Sequence, residues 1–240
     1  MVRWNCLIVE FPNDTHRHAI FGRTGTGKTV FGLWSLSQRS YTEIPWIIID
    51  FKRDKVIRRL PQLTEVRIDQ SPPKYRGLYV VRPSPADVDE GLVTQYMYQI
   101  WAREGLPHSS RKGTGIFIDE GYMLNPRDKA LRAVLTQGRS KQIPVIALSQ
   151  RPSWISPFIM SEADFLSVFY LQTPADIDRV QEWLPQKDQD GNEPDPYLLP
   201  EHYSYWYGVS RREFARLSPC PNEDNVIDRF DNRRYRRFWA

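Results

Sequence analysis

The stretch FGRTGTGKTVFG, residues 21–32, decides the fold class of this 240-residue chain. Gly22 is followed by four residues and then by Gly27, Lys28 and Thr29, which is the spacing of a phosphate-binding loop. Glycines let the backbone curl so that successive N–H groups point at phosphate oxygens, and the following helix adds its positive N-terminal end. A short apolar strand precedes the loop and a helix with an apolar face follows it. The sequence therefore predicts a nucleotide-binding α/β domain.

Different residues of this loop are expected to contact different parts of a nucleoside triphosphate. We expect Lys28 to reach the β and γ phosphates of ATP, and the Thr29 hydroxyl to ligate Mg2+. A chance match in a glycine-containing turn is the alternative, and the order strand, loop, helix argues against it. The predicted nucleotide-binding residues are Gly22, Arg23, Thr24, Gly25, Thr26, Gly27, Lys28, Thr29 and Val30.

A second motif, GIFIDEGYML at 115–124, supplies the acids that ATP hydrolysis needs. Asp119 ends an apolar strand, so its carboxylate is expected at the sheet edge where the loop opens, completing the Mg2+ site. Glu120 follows directly and is expected to orient the attacking water. Asp50 also ends an apolar strand but lacks a second acid, which predicts a structural or substrate-side role on a neighbouring strand. A solvated acidic pair is the alternative for Asp119 and Glu120.

The stretch GRSKQIPVIALSQRP at 138–152 contains a candidate sensor of the γ phosphate and a candidate arginine finger. Gln150 ends a buried strand on the side that faces the ligand crevice of an open α/β sheet, so it can sense the γ phosphate. Arg139 lies at the other end of that strand, from which its own nucleotide is hard to reach. We expect Arg139 to act on a neighbouring subunit's nucleotide, where an arginine neutralises transition-state charge. Arg132 and Arg151 are the next candidates, and a solvated surface position is the alternative for each.

Apolar runs of strand length alternate with helical patterns, which predicts an α/β fold with a mainly parallel sheet flanked by helices. An aromatic segment at 203–207, followed by 213–217, predicts a C-terminal β-hairpin or a pair of edge strands. The predicted strands of the main sheet are 18–21, 46–50, 78–81, 116–119, 143–149 and 165–171.

Three helix starts carry one local signal: a capping side chain, then proline, then an acid two residues later. These starts lie at Ser84, Asn125 and Thr173. The first helix is expected to continue along one core-facing stripe to Trp101. The second is expected from Arg127 to about Gln137.

Charge and cysteine content narrow the class of protein. Lys and Arg number 33 against 29 Asp and Glu, and the sequence pI is about 9.0, which allows a polyanionic partner without indicating a DNA-coating protein. Cys6 and Cys220 have no metal-ligand spacing, which disfavours a zinc site or a disulfide framework and fits a reducing, intracellular setting. No apolar run approaches the length of about 18 residues that predicts a membrane span.

The length favours one large domain, which we place at 1–217, followed by a basic and aromatic tail at 218–240. The tail combines arginines with aromatic rings, a composition that suits contact with a nucleic acid backbone, a neighbouring subunit or a capsid vertex. A solvated, partly helical end is the alternative. Further basic residues that predicted loops offer to DNA phosphates are Lys52, Arg53, Lys55, Lys74 and Arg76.

Three stretches in this order and separation, GRTGTGKT, IFIDE and IPVIALSQRP, resemble the FtsK/HerA superfamily of ring-forming DNA-pumping ATPases. IIIDFKRD is similar to the family's second strand, which commonly ends in an Asp followed closely by Lys. The resemblance covers roughly residues 18–185, and its most specific element is Gln-Arg-Pro after a β-run. In its compact size the chain is most similar to the genome-packaging ATPases of tailless, membrane-containing icosahedral viruses.

This resemblance implies a RecA-like P-loop fold of the ASCE class, with ATP and Mg2+ as cofactors. It implies a homo-hexameric ring that drives double-stranded DNA, independently of sequence, through a central channel into a preformed capsid. Proteins of the capsid packaging vertex are the implied partners, and the virion packaging vertex and host cytoplasm the implied locations. The chain departs from larger members, which carry membrane segments, a DNA-sequence-reading domain or an N-terminal barrel. These departures favour the viral pump over chromosome segregation.

Two other functions stay open on the sequence alone. A filamentous-phage assembly ATPase exports single-stranded DNA, but generally carries a membrane helix after its motor domain. A P-loop switch or scaffold binds nucleotide without sustained turnover, and Glu120 argues against it. A turnover assay with and without DNA separates these functions.

Overall fold

The computed structural model describes residues 2–4, 7–9, 11–39, 41–103, 113–188 and 191–235. Its strands are β1 Val2–Trp4, β2 Leu7–Val9, β3 Arg17–Phe21, β4 Pro45–Asp50, β5 Leu63–Glu65, β6 Gly77–Val81, β7 Gly115–Asp119, β8 Val145–Ser149, β9 Phe165–Phe169, β10 Ser204–Gly208 and β11 Glu213–Leu217. Its α-helices are α1 Lys28–Ser37, α2 Lys55–Arg58, α3 Pro85–Asp89, α4 Leu92–Ala102, α5 Lys129–Gln137, α6 Pro157–Ser161, α7 Pro174–Gln181 and α8 Glu223–Tyr235.

The main sheet has the strand order β11-β10-β9-β3-β8-β7-β4-β6-β5, and β1 pairs with β2 in a separate two-stranded sheet. From β9 to β5 all neighbours are parallel, whereas β10 runs antiparallel to both β9 and β11. The predicted mainly parallel sheet with a C-terminal β-hairpin is therefore confirmed. The hairpin forms one edge of the sheet and the parallel strand β5 forms the other, so β9, β3, β8, β7, β4 and β6 lie between them, where both faces can be covered.

Side chains of the central strands alternate between two hydrophobic clusters, one on each face of the sheet. In β4, Ile47 and Ile49 pack with α4 and α5, while Trp46 and Ile48 pack with α1, α2 and α8. Every residue of β3, β4, β7, β8 and β9 is buried. Burial on both faces explains why β4, β7 and β8 are nearly continuous apolar runs rather than alternating patterns.

Strand register brings the predicted motifs to one edge of the sheet. Asp50 of β4 lies opposite Asp119 of β7, and Phe21 of β3 lies opposite Ser149 of β8. Because these strands are parallel, the residues that follow them emerge on the same side. The phosphate-binding loop, the acidic pair and Gln150 therefore meet at the C-terminal edge.

The predicted single helix after Ser84 is wrong in its extent. Ser84 does form the expected capping box with Asp87, but the helix ends at Asp89 and α4 starts at Leu92. Gly91 between them has φ of 74°, a left-handed conformation that interrupts the helix and that glycine adopts at little cost. The helix expected from Arg127 starts two residues later, because the Asp128 side chain accepts from the Leu131 N–H as the cap.

Helix α8 lies in the segment 218–240 and packs on the same face of the sheet as α1. Val226 and Phe230 are almost fully buried there, and the Tyr41 hydroxyl donates to the Phe230 carbonyl at 3.3 Å. Residues 236–240 of the predicted tail lie outside the described part of the chain, and so does Cys6. The boundary at 217 and the contacts of the tail stay predictions. Among the described residues, no helix has the length and apolar character needed to cross a membrane.

Candidate active site

The loop between β3 and α1 is shaped by its glycines. Gly25 and Gly27 have φ of 85° and 90°, a left-handed conformation that side chains disfavour. A Cβ on Gly22 would lie 2.6 Å from the Cβ of Phe169, so this position also excludes a side chain. Gly27 is the residue before the first turn of α1, and the loop therefore opens on the N-terminal end of a ten-residue helix. Backbone N–H groups and helix end together favour an anion at this point.

The structure brings the predicted Lys28 and Glu120 into direct contact. Lys28 Nζ lies 3.1 Å from Glu120 Oε1, and both side chains are almost completely buried. Lys52, from the loop after β4, donates to the same carboxylate oxygen. Glu120 has φ of 63°, a left-handed conformation that is uncommon for residues other than glycine and that recurs at functional sites. A buried carboxylate held by two ammonium groups is thus placed beside the phosphate-binding loop.

Asp119 is fully buried, and neither of its carboxylate oxygens has a hydrogen-bond partner among the described residues. Burial raises the pKa of Asp119 to about 7, the negative charge of Glu120 adds to the increase, and Lys28 opposes it. The two unpaired oxygens of Asp119 fit a divalent cation, which prefers oxygen ligands.

Gln150 connects three parts of the site. Its backbone N–H donates to Glu120 Oε2 at 3.3 Å, its Oε1 accepts from the Thr24 hydroxyl, and its Nε2 donates to the Tyr122 hydroxyl at 2.9 Å. The predicted sensor is therefore bonded both to the phosphate-binding loop and to the buried acid. Tyr122 in turn contacts the exposed Trp154 edge-on, with ring centroids 6.3 Å apart.

The three arginine candidates lie in different places. Arg139 pairs with Asp164, which also accepts from the Arg17 N–H at 2.8 Å, so Arg139 lies at the N-terminal edge of the sheet. Its side chain is 62% exposed. Arg151 lies at the C-terminal edge, where its Nε is 3.0 Å from Asp176. Arg132 on α5 lies over the Phe158 ring. Arg139 thus points away from its own chain's phosphate-binding loop, as the sequence predicts.

A cavity of about 520 Å³ opens over the loop. One side is formed by residues 24–30 of the loop and helix α1, together with Lys52. The remaining lining includes Phe169, His202 and the segment 219–223, which leads into α8. The cavity is large enough to bury most of a small-molecule ligand.

A search of known proteins finds a relative over nearly the whole chain. The DNA packaging ATPase P9 of Enterobacteria phage PRD1 is 37% identical over 228 residues, which cover 94% of this chain and 96% of that protein. The chain belongs to the family of viral DNA-packaging ATPases. No protein-family model matches it. The resemblance to viral genome-packaging ATPases is confirmed, and so is the expected ATPase.

Solved structures show the same fold at low sequence identity. The genome packaging NTPase B204 of Sulfolobus turreted icosahedral virus 2, in complex with AMPPCP, has a TM-score of 0.62 and 18% identity, covering 87% of this chain and all of B204. The cytoplasmic domain of the Thermomonospora curvata type VII secretion ATPase EccC has a TM-score of 0.57 and 16% identity, covering 87% of this chain and 24% of EccC. Both likenesses support the P-loop ATPase fold.

Two site residues of this packaging ATPase, Lys52 and Tyr122, are not predicted from the sequence. The sequence places Lys52 among the basic groups available to DNA, whereas its ammonium group contacts Glu120. Its signal was present in IIIDFKRD, because a strand beside β7 delivers the residues after Asp50 next to Glu120. Asp50 itself accepts from the Asp54 N–H at 2.9 Å and from Arg82, which fixes the loop carrying Lys52. Tyr122 had no signal beyond its place in GIFIDEGYML.

Proposed function

We propose that this packaging ATPase is a motor that moves double-stranded DNA, independently of sequence, into a preformed viral capsid. It works as a homo-hexameric ring at the packaging vertex of the virion, in the host cytoplasm, and docks on capsid vertex proteins. The observation that carries the proposal is the contact of Glu120 with Lys28 at the mouth of the phosphate-binding loop. The 37% identity to a DNA packaging ATPase along 94% of the chain supports the choice of DNA as substrate.

ATP binding rearranges the contacts of Lys28 in this mechanism. The phosphates compete with Glu120 for the Lys28 ammonium, because both are anions within reach of the same buried group. Once Lys28 turns to the β and γ phosphates, Glu120 keeps Lys52 as its partner and is available to a water molecule. Glu120 then accepts the proton as that water attacks the γ phosphorus, and the bond to the β–γ bridging oxygen breaks.

The residues fit Mg2+ as the cofactor that accompanies ATP. Asp119 offers two buried oxygens without hydrogen-bond partners among the described residues, and Thr29 offers a hydroxyl in the first turn of α1. When bound, the ion neutralises phosphate charge and withdraws electrons from the γ phosphorus. The described residues contain no group of three or more His, Cys, Asp or Glu side chains able to hold an ion alone. Binding of the ion therefore depends on nucleotide phosphates, as is usual for Mg2+.

Gln150 senses the γ phosphate in this proposal. Its Nε2 donates to Tyr122 and its Oε1 accepts from the Thr24 hydroxyl, so an incoming phosphate that recruits the side-chain amide changes both contacts. The Tyr122 ring, next to the exposed Trp154, then transmits the change to the surface.

ATP turnover measured against added DNA tests the motor function directly. We expect Mg2+-dependent turnover to rise with double-stranded DNA and with protein concentration, because the ring assembles and engages its substrate. The stimulation should be independent of sequence and weaken steeply with salt, since contacts are to phosphates. Slow hydrolysis indifferent to DNA at every protein concentration contradicts the motor and favours a switch. Stimulation by single-stranded DNA alone favours the export ATPase.

Mixed subunits test the role of Arg139 in trans. Arg139→Ala and Glu120→Gln should each reduce turnover, on the order of a thousandfold for a lost arginine finger. Mixing the two variants should restore activity, because some interfaces then combine an intact Glu120 from one subunit with an intact Arg139 from the next. Arg139→Lys keeps a cation for Asp164 and controls for a folding defect.

Recovery in the mixture excludes an action of Arg139 on its own subunit's nucleotide. If no mixing ratio restores turnover, Arg139 does not act across the interface. The same experiment with Arg132→Ala and Arg151→Ala then identifies the finger.

A further inference from the structure

We propose that Phe169, His202 and the segment 219–223 form the nucleoside-binding half of the site, which holds the adenine and ribose of ATP. This inference rests on the proposed ATPase function and extends it to residues that no motif assigns. These residues come from the end of β9, from the segment just before β10, and from the segment between β11 and α8.

The direction of the nucleotide follows from the two ends of the site. The γ phosphate end is fixed by Glu120 and Gln150, and neither of them lines the 520 Å³ cavity. Beyond the loop and Lys52, the cavity is lined by Phe169, His202 and the segment 219–223. A triphosphate that lies on residues 24–29 and ends at Glu120 must therefore extend its nucleoside into this cavity.

We call Phe169, His202 and the segment 219–223 together the wall of the cavity. The chemistry of this wall suits a flat, largely apolar ring with polar edges. Phe169, Pro219, Cys220 and Pro221 supply apolar surface, which predominates in small-molecule sites. The Asn222 carboxamide oxygen accepts from the Asn225 N–H at 3.0 Å, which orients its amide nitrogen as a donor. Ring nitrogens of a purine are acceptors, so a donor at this edge matches them.

His202 extends the wall to the loop itself. Its Nδ1 lies 3.4 Å from the position that a Cβ on Gly27 would occupy, so the imidazole covers the start of α1. The residue has φ of 63°, a conformation that costs free energy and is found where the surrounding structure fixes a side chain for a task. This position suits contact with the ribose and the α phosphate.

Contacts of α8 support the segment 219–223. Arg59, at the end of α2, lies 3.3 Å from Glu223 and also pairs with Asp224, so the start of α8 is linked to the helix whose Val56 lines the cavity. Val226 and Phe230 anchor α8 in the core. Binding of a nucleoside therefore engages a preformed surface, and it links the nucleotide to the helix that leads into the C-terminal tail.

Alkylation of Cys220 measures occupancy of this wall directly. The chain has two cysteines, so Cys6→Ser leaves Cys220 as the single thiol. Burial raises the pKa of the Cys220 thiol to about 11, so reaction with N-ethylmaleimide at pH 8 is slow enough to follow by mass spectrometry. ADP at about 100 times its Kd should slow alkylation roughly 100-fold, since only the ligand-free fraction reacts. Tripolyphosphate, which fills the loop alone, should leave the rate unchanged.

The possible outcomes distinguish a failure of this inference from a failure of the ATPase proposal. If ADP binds by calorimetry and alkylation keeps its rate, the nucleoside lies elsewhere and only this inference falls. If tripolyphosphate protects Cys220 from alkylation as well as ADP does, the protection comes from occupancy of the loop, and this inference is also overturned. If no adenine nucleotide binds, the ATPase proposal falls first.

A bulky residue in the wall gives a second test that needs no thiol. Cys220→Trp should weaken ADP binding by roughly 10–100-fold, because the added ring fills the cavity, and should leave tripolyphosphate binding unchanged. Val209→Trp, at the exposed turn of the β10–β11 hairpin, is the control for a large added ring. Unchanged ADP affinity in folded Cys220→Trp overturns the assignment.

Discussion

Lys28→Ala should reduce ATP turnover by roughly 10²–10³-fold, the range seen when one group that stabilises transition-state charge is removed. Lys28 is buried at the first residue of α1, and its ammonium group is held at the mouth of the loop by Glu120. Alanine removes the charge that would meet the β and γ phosphates. Nucleotide binding, followed by calorimetry with ADP and a non-hydrolysable ATP analogue, should weaken as well.

The experiment with Lys28→Ala must distinguish a loss of catalytic activity from a loss of folding. Removing Lys28 leaves Glu120 with Lys52 as its ammonium partner and takes away the larger of the two positive charges that lower the pKa of Asp119. The double variant Lys28→Ala with Glu120→Gln relieves that excess negative charge, so it should recover thermal stability and remain inactive. Lys187→Ala, in an exposed loop, is the matched control and should keep wild-type nucleotide affinity. Normal turnover by Lys28→Ala would remove the loop from the mechanism.

The strands of the parallel core can be predicted from the sequence because they are buried. Strands covered on both faces need apolar residues at every position, so β4 and β7 appear as IIID and IFID, each ending in the acid that emerges at the sheet edge. The glycines of the phosphate-binding loop can also be recognised in the sequence, because the backbone conformation of the loop requires them. Local signals therefore place Lys28, Asp119 and Glu120 at one edge without any knowledge of lateral strand order.

What the sequence did not predict depends on contacts between distant segments. Lys52 joins the site only because β4 lies beside β7, and the order of strands in a sheet is not encoded in any one strand. The break at Gly91 was missed because an apolar stripe continues across it with helical spacing, while a single glycine is tolerated in many helices. The approach of 219–223 to the loop depends on the packing of α8, nearly 200 residues after the loop in sequence.

Glu120→Gln should separate binding of ATP from its hydrolysis. Glutamine keeps the shape of the side chain but cannot accept the proton of the attacking water, and loss of a general base typically reduces the rate by about 10²–10⁴-fold. ATP affinity should be retained or increased, since Glu120 no longer competes with phosphate for the Lys28 ammonium. Single-turnover hydrolysis and calorimetry measure the two quantities independently.

The affinity is the more discriminating of these two measurements. If Glu120 served mainly to hold Lys28 in place, glutamine would weaken ATP binding and turnover together, because the ammonium group would lose its fixed position. If Glu120 is the base, turnover falls while ATP affinity is retained or increased. Glu90→Gln, an exposed residue at the end of α3, makes the same chemical change outside the site and should alter neither. Parallel losses of affinity and turnover in Glu120→Gln would therefore assign Glu120 a structural role and leave the base unidentified.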